Sequence, residues 1–156
     1  MPSLRMRRSF CAHGSKACLP MRRNQWLDYL QWAFKLNRPW EEMAADILLA
    51  RPTAPEETGA AWFLAEKKDD PNVMATETAR TLLGKQIQCA QCHDHQISPE
   101  IEHRHYWGMV AFFTRTYRVK TPKGLRVAEA ATGGYSEYKD LGGKSCRTIR
   151  ILPLLP

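Results

Sequence analysis

Apolar residues recur at helical spacing in four stretches of this 156-residue chain. In the first, Trp26, Leu27, Leu30, Ala33 and Phe34 mark one face of a helix over 24–36, with Asn24 as the expected N-cap. Asn37-Arg38-Pro39 breaks it, because a proline disfavours helix at the residue before it. A second helix follows over 39–50. Pro39 suits its first turn, Glu41 and Glu42 complement its positive start, and Trp40, Met43, Ala44, Ile47 and Leu48 form the expected buried stripe. Together these read as an αα-hairpin whose tryptophans serve the core. The third helix starts at Asp70-Pro71, presents Val73, Met74, Thr78, Thr81 and Leu82, and reaches at least Leu83. The fourth spans roughly 102–115, where Tyr106, Met109, Val110, Phe113 and Tyr117 fall at i, i+3, i+4, i+7 and i+11. Between the second and third lies a connection rich in Pro, Thr and Glu. Its apolar island, Ala60-Ala61-Trp62-Phe63-Leu64, reads as an extended segment or a single helical turn docked on the core.

Outside these stretches the periodicity fails. Residues 1–23 show neither helical nor strand spacing and read as a flexible basic leader. From 118 to 156 the chain is basic and rich in small residues, with Gly133-Gly134 and Gly142-Gly143, and it reads as an irregular tail with at most one weak element near Tyr135, Tyr138 and Leu141. The expected fold class is mostly α: a small domain of about four helices over 24–117, with irregular basic N- and C-terminal tails.

Composition sharpens this. At 44% hydrophobic the chain can build one core, and no apolar run approaches the roughly 20 residues that span a bilayer. The net charge of +7 is unevenly spread: residues 1–23 carry +6, residues 24–114 carry −5 and residues 115–156 carry +6. The expected folded part is therefore acidic. A basic tail binds polyanions without specificity, but no basic helix stripe with interleaved aromatics points to a specific nucleic-acid partner. Arg7-Arg8-Ser9-Phe10 has the twin-arginine pattern of an export signal, but no apolar stretch of 7–15 residues follows it.

The chemistry concentrates in Cys89-Ala90-Gln91-Cys92-His93-Asp94-His95, a C-x-x-C-H-x-H cluster holding two of the five cysteines and two of the five histidines. The other cysteines, Cys11, Cys18 and Cys146, have no disulfide-framework spacing. C-x-x-C-H is the attachment pattern of c-type haem. It assigns Cys89 and Cys92 to two thioethers and His93 to the haem iron as an axial ligand. Met109, Met74, His103 and His105 are the candidates for the distal position, which tunes potential and access. Asp94 and His95 sit beside the iron ligand, where neighbouring groups orient an imidazole or carry a proton. Zinc is the rival metal, held by Cys89, Cys92, one of His93 or His95, and one of His103 or His105. A thioredoxin-like dithiol needs a βαβ setting that the helices flanking the cluster do not provide. The bland alternative is a set of inert thiols and hydrogen-bonded histidines. No G-x-S-x-G, glycine-rich phosphate loop or other catalytic constellation is present, so the chain reads as a binding module rather than an enzyme.

The run from Leu83-Gly84 through Cys89-Ala90-Gln91-Cys92-His93-Asp94-His95, followed by Tyr106-Trp107-Gly108-Met109-Val110-Ala111-Phe112-Phe113, resembles the hallmark of a planctomycete cytochrome-like domain of unknown function. Asn37-Arg38-Pro39-Trp40 and Ala60-Ala61-Trp62-Phe63 also match positions of that family, and the resemblance covers about residues 24–145. Between His95 and Tyr106 the chain departs from the family pattern, so His103 and His105 are local to it. The resemblance implies a cytochrome-like role in a larger exported, periplasmic-type protein of which this chain is a piece. The expected function is a c-type haem-binding, electron-transfer module whose partner is a redox protein or a further domain of its parent. The alternatives are a zinc-binding or purely structural helical module, or a non-functional truncated product.

Overall fold

The computed structural model describes residues 23–121 and 124–150. Among these residues there are five α-helices: α1 (Arg23–Lys35), α2 (Trp40–Leu49), α3 (Trp62–Ala65), α4 (Pro71–Leu82) and α5 (His103–Phe113). Two short 3₁₀ turns, Pro55–Ala61 and Gln88–Gln91, join them. Four strands follow: β1 (Thr116–Thr121), β2 (Gly124–Glu129), β3 (Tyr135–Lys139) and β4 (Ser145–Ile149). They form two separate antiparallel hairpins. Thr116 lies opposite Glu129 in the first, and Tyr135 lies opposite Ile149 in the second.

The fold is mixed and mostly helical, which corrects the expectation of about four helices with an irregular C-terminal tail. The extra helix is α3, the apolar island turned once and buried through Phe63, Leu64 and Ala65. Within 118–150 the described residues differ from the irregular tail expected there, because their charges sit on short strands. Asp140 builds the β3–β4 turn by accepting the N–H groups of Gly142 (3.0 Å) and Lys144 (2.8 Å), and Gly143 there has φ +78°. In such a turn the glycines punctuate a hairpin rather than dissolve order. The basic charge of that stretch thus belongs in large part to the folded body. The expected leader lies outside the described residues, apart from Arg23, which opens α1.

Helix boundaries follow local chemistry. Asp70 caps α4, its carboxylate accepting the N–H of Asn72 (2.9 Å) and of Val73 (3.3 Å), and Pro71 occupies the first helical position. Gly84, at φ +64°, closes α4, with the Lys85 N–H returning to the Ala79 carbonyl (3.0 Å). Asn24 is not the cap of α1, because the helix already includes Arg23. Tyr117 does not extend α5. The chain turns at Thr114-Arg115 and puts Tyr117, 42% exposed, on β1.

One core runs through the helices, from Tyr29 and Ala33 through Met43, Ile47, Phe63, Leu64, Met74 and Ala79 to Tyr106, Met109, Val110 and Phe113. The buried stripe of α2 is narrower than expected: Met43 and Ile47 face in, while Trp40 and Leu48 are exposed. In α4 the inner face is Met74, Ala75, Thr78 and Ala79, and Val73 and Thr81 lie outside it. Phe34 and Leu27 are likewise exposed, and Tyr29 takes their place in the core of α1. α1 packs on the 55–61 turn so closely that a Cβ on Gly59 would lie 1.9 Å from the Gln25 carbonyl oxygen. At the other end α5 is the hub, packing against α4, the 88–91 turn, β3 and β4.

Candidate haem-attachment site

The site is built on a sorting of side chains by a tight turn. In a 3₁₀ turn, residues three apart eclipse one another. Ile87 and Ala90 are both fully buried and anchor the 88–91 turn in the core. Cys89 and Cys92, also three apart, are consequently turned out, and both are exposed free thiols. Two adjoining grooves run between this turn and α4. One, of about 330 Å³, is lined by Thr76, Arg80, Gln86, Ile87, Gln88 and Cys89, and the other, of about 250 Å³, by residues including Asn72, Gln91 and Tyr106. Both are at or below the lower end of the roughly 300–1,000 Å³ typical of ligand pockets.

The four histidines around the turn are held in different ways. The His93 Nδ1 lies 2.6 Å from the backbone carbonyl of Asp94. A carbonyl only accepts, so Nδ1 carries the proton in that hydrogen bond and the lone pair of a neutral ring sits on Nε2. This is the tautomer that metal-binding histidines adopt when a carbonyl orients them. His95 is opposite: its Nδ1 accepts the N–H groups of Ile97 (3.2 Å) and Ser98 (3.0 Å), which leaves a neutral ring protonated at Nε2. His105, buried on α5, uses Nδ1 to accept the Glu102 N–H (3.0 Å), closing the first turn of that helix. His103 is also buried. Its Nε2 lies 2.9 Å from the Gln91 carbonyl and 2.8 Å from the Trp107 indole nitrogen.

The residues singled out by sequence fall into two groups. The structure brings Cys89, Cys92, His93, Asp94 and His95 onto one turn and its following loop. Asp94 acts through two separate groups: its carbonyl holds His93, and its carboxylate accepts the His103 N–H (2.8 Å) at the start of α5. Met109 and Met74, considered for the distal position, are core residues at 3% and 1% exposure. His105 has its Nδ1 lone pair committed to the helix start. Among the described residues no three Cys, His, Asp or Glu side chains come together as a metal-holding group, so the four ligands considered for zinc are not gathered.

Sequence reasoning missed the ring cluster above this loop. Trp107 stacks on Tyr138 of β3 at 5.6 Å between ring centroids, and His103 meets Tyr138 edge-on at 4.7 Å. His103 and Trp107 stand one helical turn apart on α5, a spacing visible in the sequence. Tyr138 reads in the sequence only as part of one weak element, and nothing in its spacing points to a strand packed on α5. Burial raises the Tyr138 hydroxyl above its ordinary range, with smaller contributions from nearby Cys146 and Asp140. Burial does the same for Tyr106, whose hydroxyl lies within electrostatic reach of Cys92.

Compared with protein-family profiles, residues 7–118 match PSCyt2, a protein of unknown function (DUF1549). The chain belongs to this family. The match runs from within the basic N-terminal stretch to the first strand, so it takes in α1 through α5, the C-x-x-C-H turn and its loop. The β3–β4 hairpin that supplies Tyr138 lies beyond the matched residues. No curated protein and no solved structure matches the chain.

The donor set of this PSCyt2 member fits what covalent haem would need: two exposed thiols three residues apart, followed directly by an imidazole with Nε2 available. The small grooves would suit an edge of the macrocycle rather than its full enclosure.

Proposed function

We propose that this chain is a c-type haem-binding, electron-transfer module of a larger exported, cytochrome-like protein. Cys89 and Cys92 would hold the haem by thioethers, each thiol adding its sulfur and hydrogen across one vinyl group with no leaving group. His93 would face the iron through Nε2. Haem, when bound, supplies reversible one-electron chemistry. The chain's own residues fix the geometry: Ile87 and Ala90 anchor the turn, and the Asp94 carbonyl orients the His93 ring. The observation that carries the reading is the His93 Nδ1 contact to the Asp94 carbonyl, which leaves the Nε2 lone pair free beside two exposed thiols. The electron would pass to a redox partner or to a further domain of the parent protein.

The test is expression with an export signal in a cell that carries haem-attachment machinery. The expected product keeps its haem through acidic organic extraction, gains one haem in mass and shows a Soret band. Cys92→Ala should lose the double attachment. Stoichiometric zinc without haem would overturn the reading and favour a zinc module. A folded product with neither group would leave a purely structural helical role.

A further inference from the structure

His103 is placed where no part of the C-x-x-C-H pattern would locate it. It opens α5, is 9% exposed, and reaches the motif chain at two points. Its backbone N–H donates to the Asp94 carboxylate at 2.8 Å. Its imidazole Nε2 lies 2.9 Å from the Gln91 carbonyl. Gln91 precedes Cys92 and Asp94 follows His93, so one residue of the helix grips the chain on both sides of the Cys92-His93 pair. A third bond fixes the loop behind it, from the His95 N–H to the Ile101 carbonyl at 2.9 Å.

The imidazole end of this grip is contested. The Trp107 indole N–H lies 2.8 Å from the same Nε2 atom. An indole N–H only donates and a carbonyl only accepts. Nε2 satisfies the carbonyl when it carries a proton and the indole when it does not, so the two bonds exclude each other. Trp107 is itself held in place by its stack on Tyr138 and by the Ser136 hydroxyl, which donates to the Trp107 carbonyl. The competing donor therefore stays beside the ring in either case.

We propose that His103 is a positioning residue for the haem-attachment motif. With Nε2 protonated it pins the Gln91 carbonyl and fixes the Cys92-His93 segment against α5. With the proton on Nδ1 it accepts from Trp107 and loosens the Gln91 side of that segment, while its backbone N–H keeps the Asp94 carboxylate. The role toward haem rests on the reading above, but the grip itself is a property of the haem-free chain.

The test follows amide hydrogen exchange across residues 91–95 in the haem-free chain. His103→Phe keeps a ring in the buried site and removes the hydrogen bond. His103→Gln restores an N–H donor near the position of Nε2. Trp107→Phe removes the competitor. Exchange should rise about tenfold in His103→Phe, return toward the parent value in His103→Gln and fall in Trp107→Phe. Equal exchange in the Phe and Gln variants, with cooperative unfolding retained, would overturn the proposal. If His103→Phe fails to fold, the comparison of Trp107→Phe with the parent decides: exchange that is unchanged or faster overturns it. The same variants, expressed with haem-attachment machinery, separate this claim from the haem reading. No haem in the parent sinks that reading whatever the exchange shows. Haem in every variant, with one unchanged reduction potential, denies His103 any influence on the axial ligand.

Discussion

The two ends of this molecule are held together by opposite means. Where α1 meets the 55–61 turn, the contact is made by close packing. Gly59 lets the backbones touch, Trp26 lies against Tyr29 and Phe63 at centroid distances of 5.9 and 6.2 Å, and Arg38 covers Trp32 at 4.9 Å while pairing with Asp46. Where α5 meets the motif loop, the contact is made by directed polar bonds, from Asp94, His95, His103 and His105 to backbone groups. Packing depends on volume and tolerates few additions. Polar locking depends on which atom carries a proton, and so leaves some groups committed and others free. His93, the proposed iron ligand, lies at the end where that choice exists.

The sharpest way to break the packed end is Gly59→Ala. Its new Cβ would meet the Gln25 carbonyl oxygen at 1.9 Å and the Tyr29 Cβ at 2.9 Å. A backbone neighbour cannot move aside cheaply, so the variant should lose about 3 kcal/mol or more in urea unfolding. Parent-like stability would show that this close approach does not occur.

At the polar end, His105→Leu keeps an apolar side chain of similar bulk but leaves the Glu102 N–H without its acceptor. The expected loss is about 2 kcal/mol, with fraying confined to the first turn of α5. Hydrogen exchange at residues 103–106 would locate it, and uniform destabilisation would argue that His105 works by volume alone.

Tyr29 tests the packed end by pH. Its hydroxyl donates to Asp46 (3.1 Å), and its ionisation is pushed well above the ordinary phenol range by burial first, then by the Asp46 charge and hydrogen bond, with Arg38 opposing. The unfolded chain releases this proton near pH 10 while the folded chain retains it. The unfolded state then binds fewer protons, so stability is fully present below about pH 10 and falls as pH rises beyond it, by up to about 1.4 kcal/mol per pH unit for one group. Tyr106 and Tyr138 are raised as well, so several groups contribute to the parent slope. Tyr29→Phe should remove one share of it, measured from stabilities between pH 9 and 11. An unchanged slope would mean that Tyr29 is not buried against Asp46.

The smallest effect belongs to Asp70→Ala, which removes the cap of α4 without touching either contact. It should cost about 1 kcal/mol, lowering the unfolding midpoint while leaving exchange in the motif loop unchanged.

The sequence carried the signals that are local. Asp70-Pro71 specifies a helix start because a carboxylate two and three residues before free N–H groups satisfies them, whatever surrounds it. The apolar spacing located α1, α2, α4 and α5, and the seven-residue cluster marked Cys89 and Cys92 as a pair. It did not show which apolar residues of α1 and α2 would be left exposed, since that depends on what each helix packs against. The motif spacing singled out His93, but it did not show which ring nitrogen each of His93, His95, His103 and His105 leaves available. A histidine's free nitrogen is set by the partner of its other nitrogen, or by rivals for the same one. For His103 those partners come from Gln91, twelve residues away, and from Trp107 on the next helical turn. Only the folded chain brings such groups within hydrogen-bond reach. The residue types of the site were therefore written in the sequence, and the loop fixes the lone pairs of His93, His95 and His105 through near neighbours, while that of His103 waited on tertiary contact.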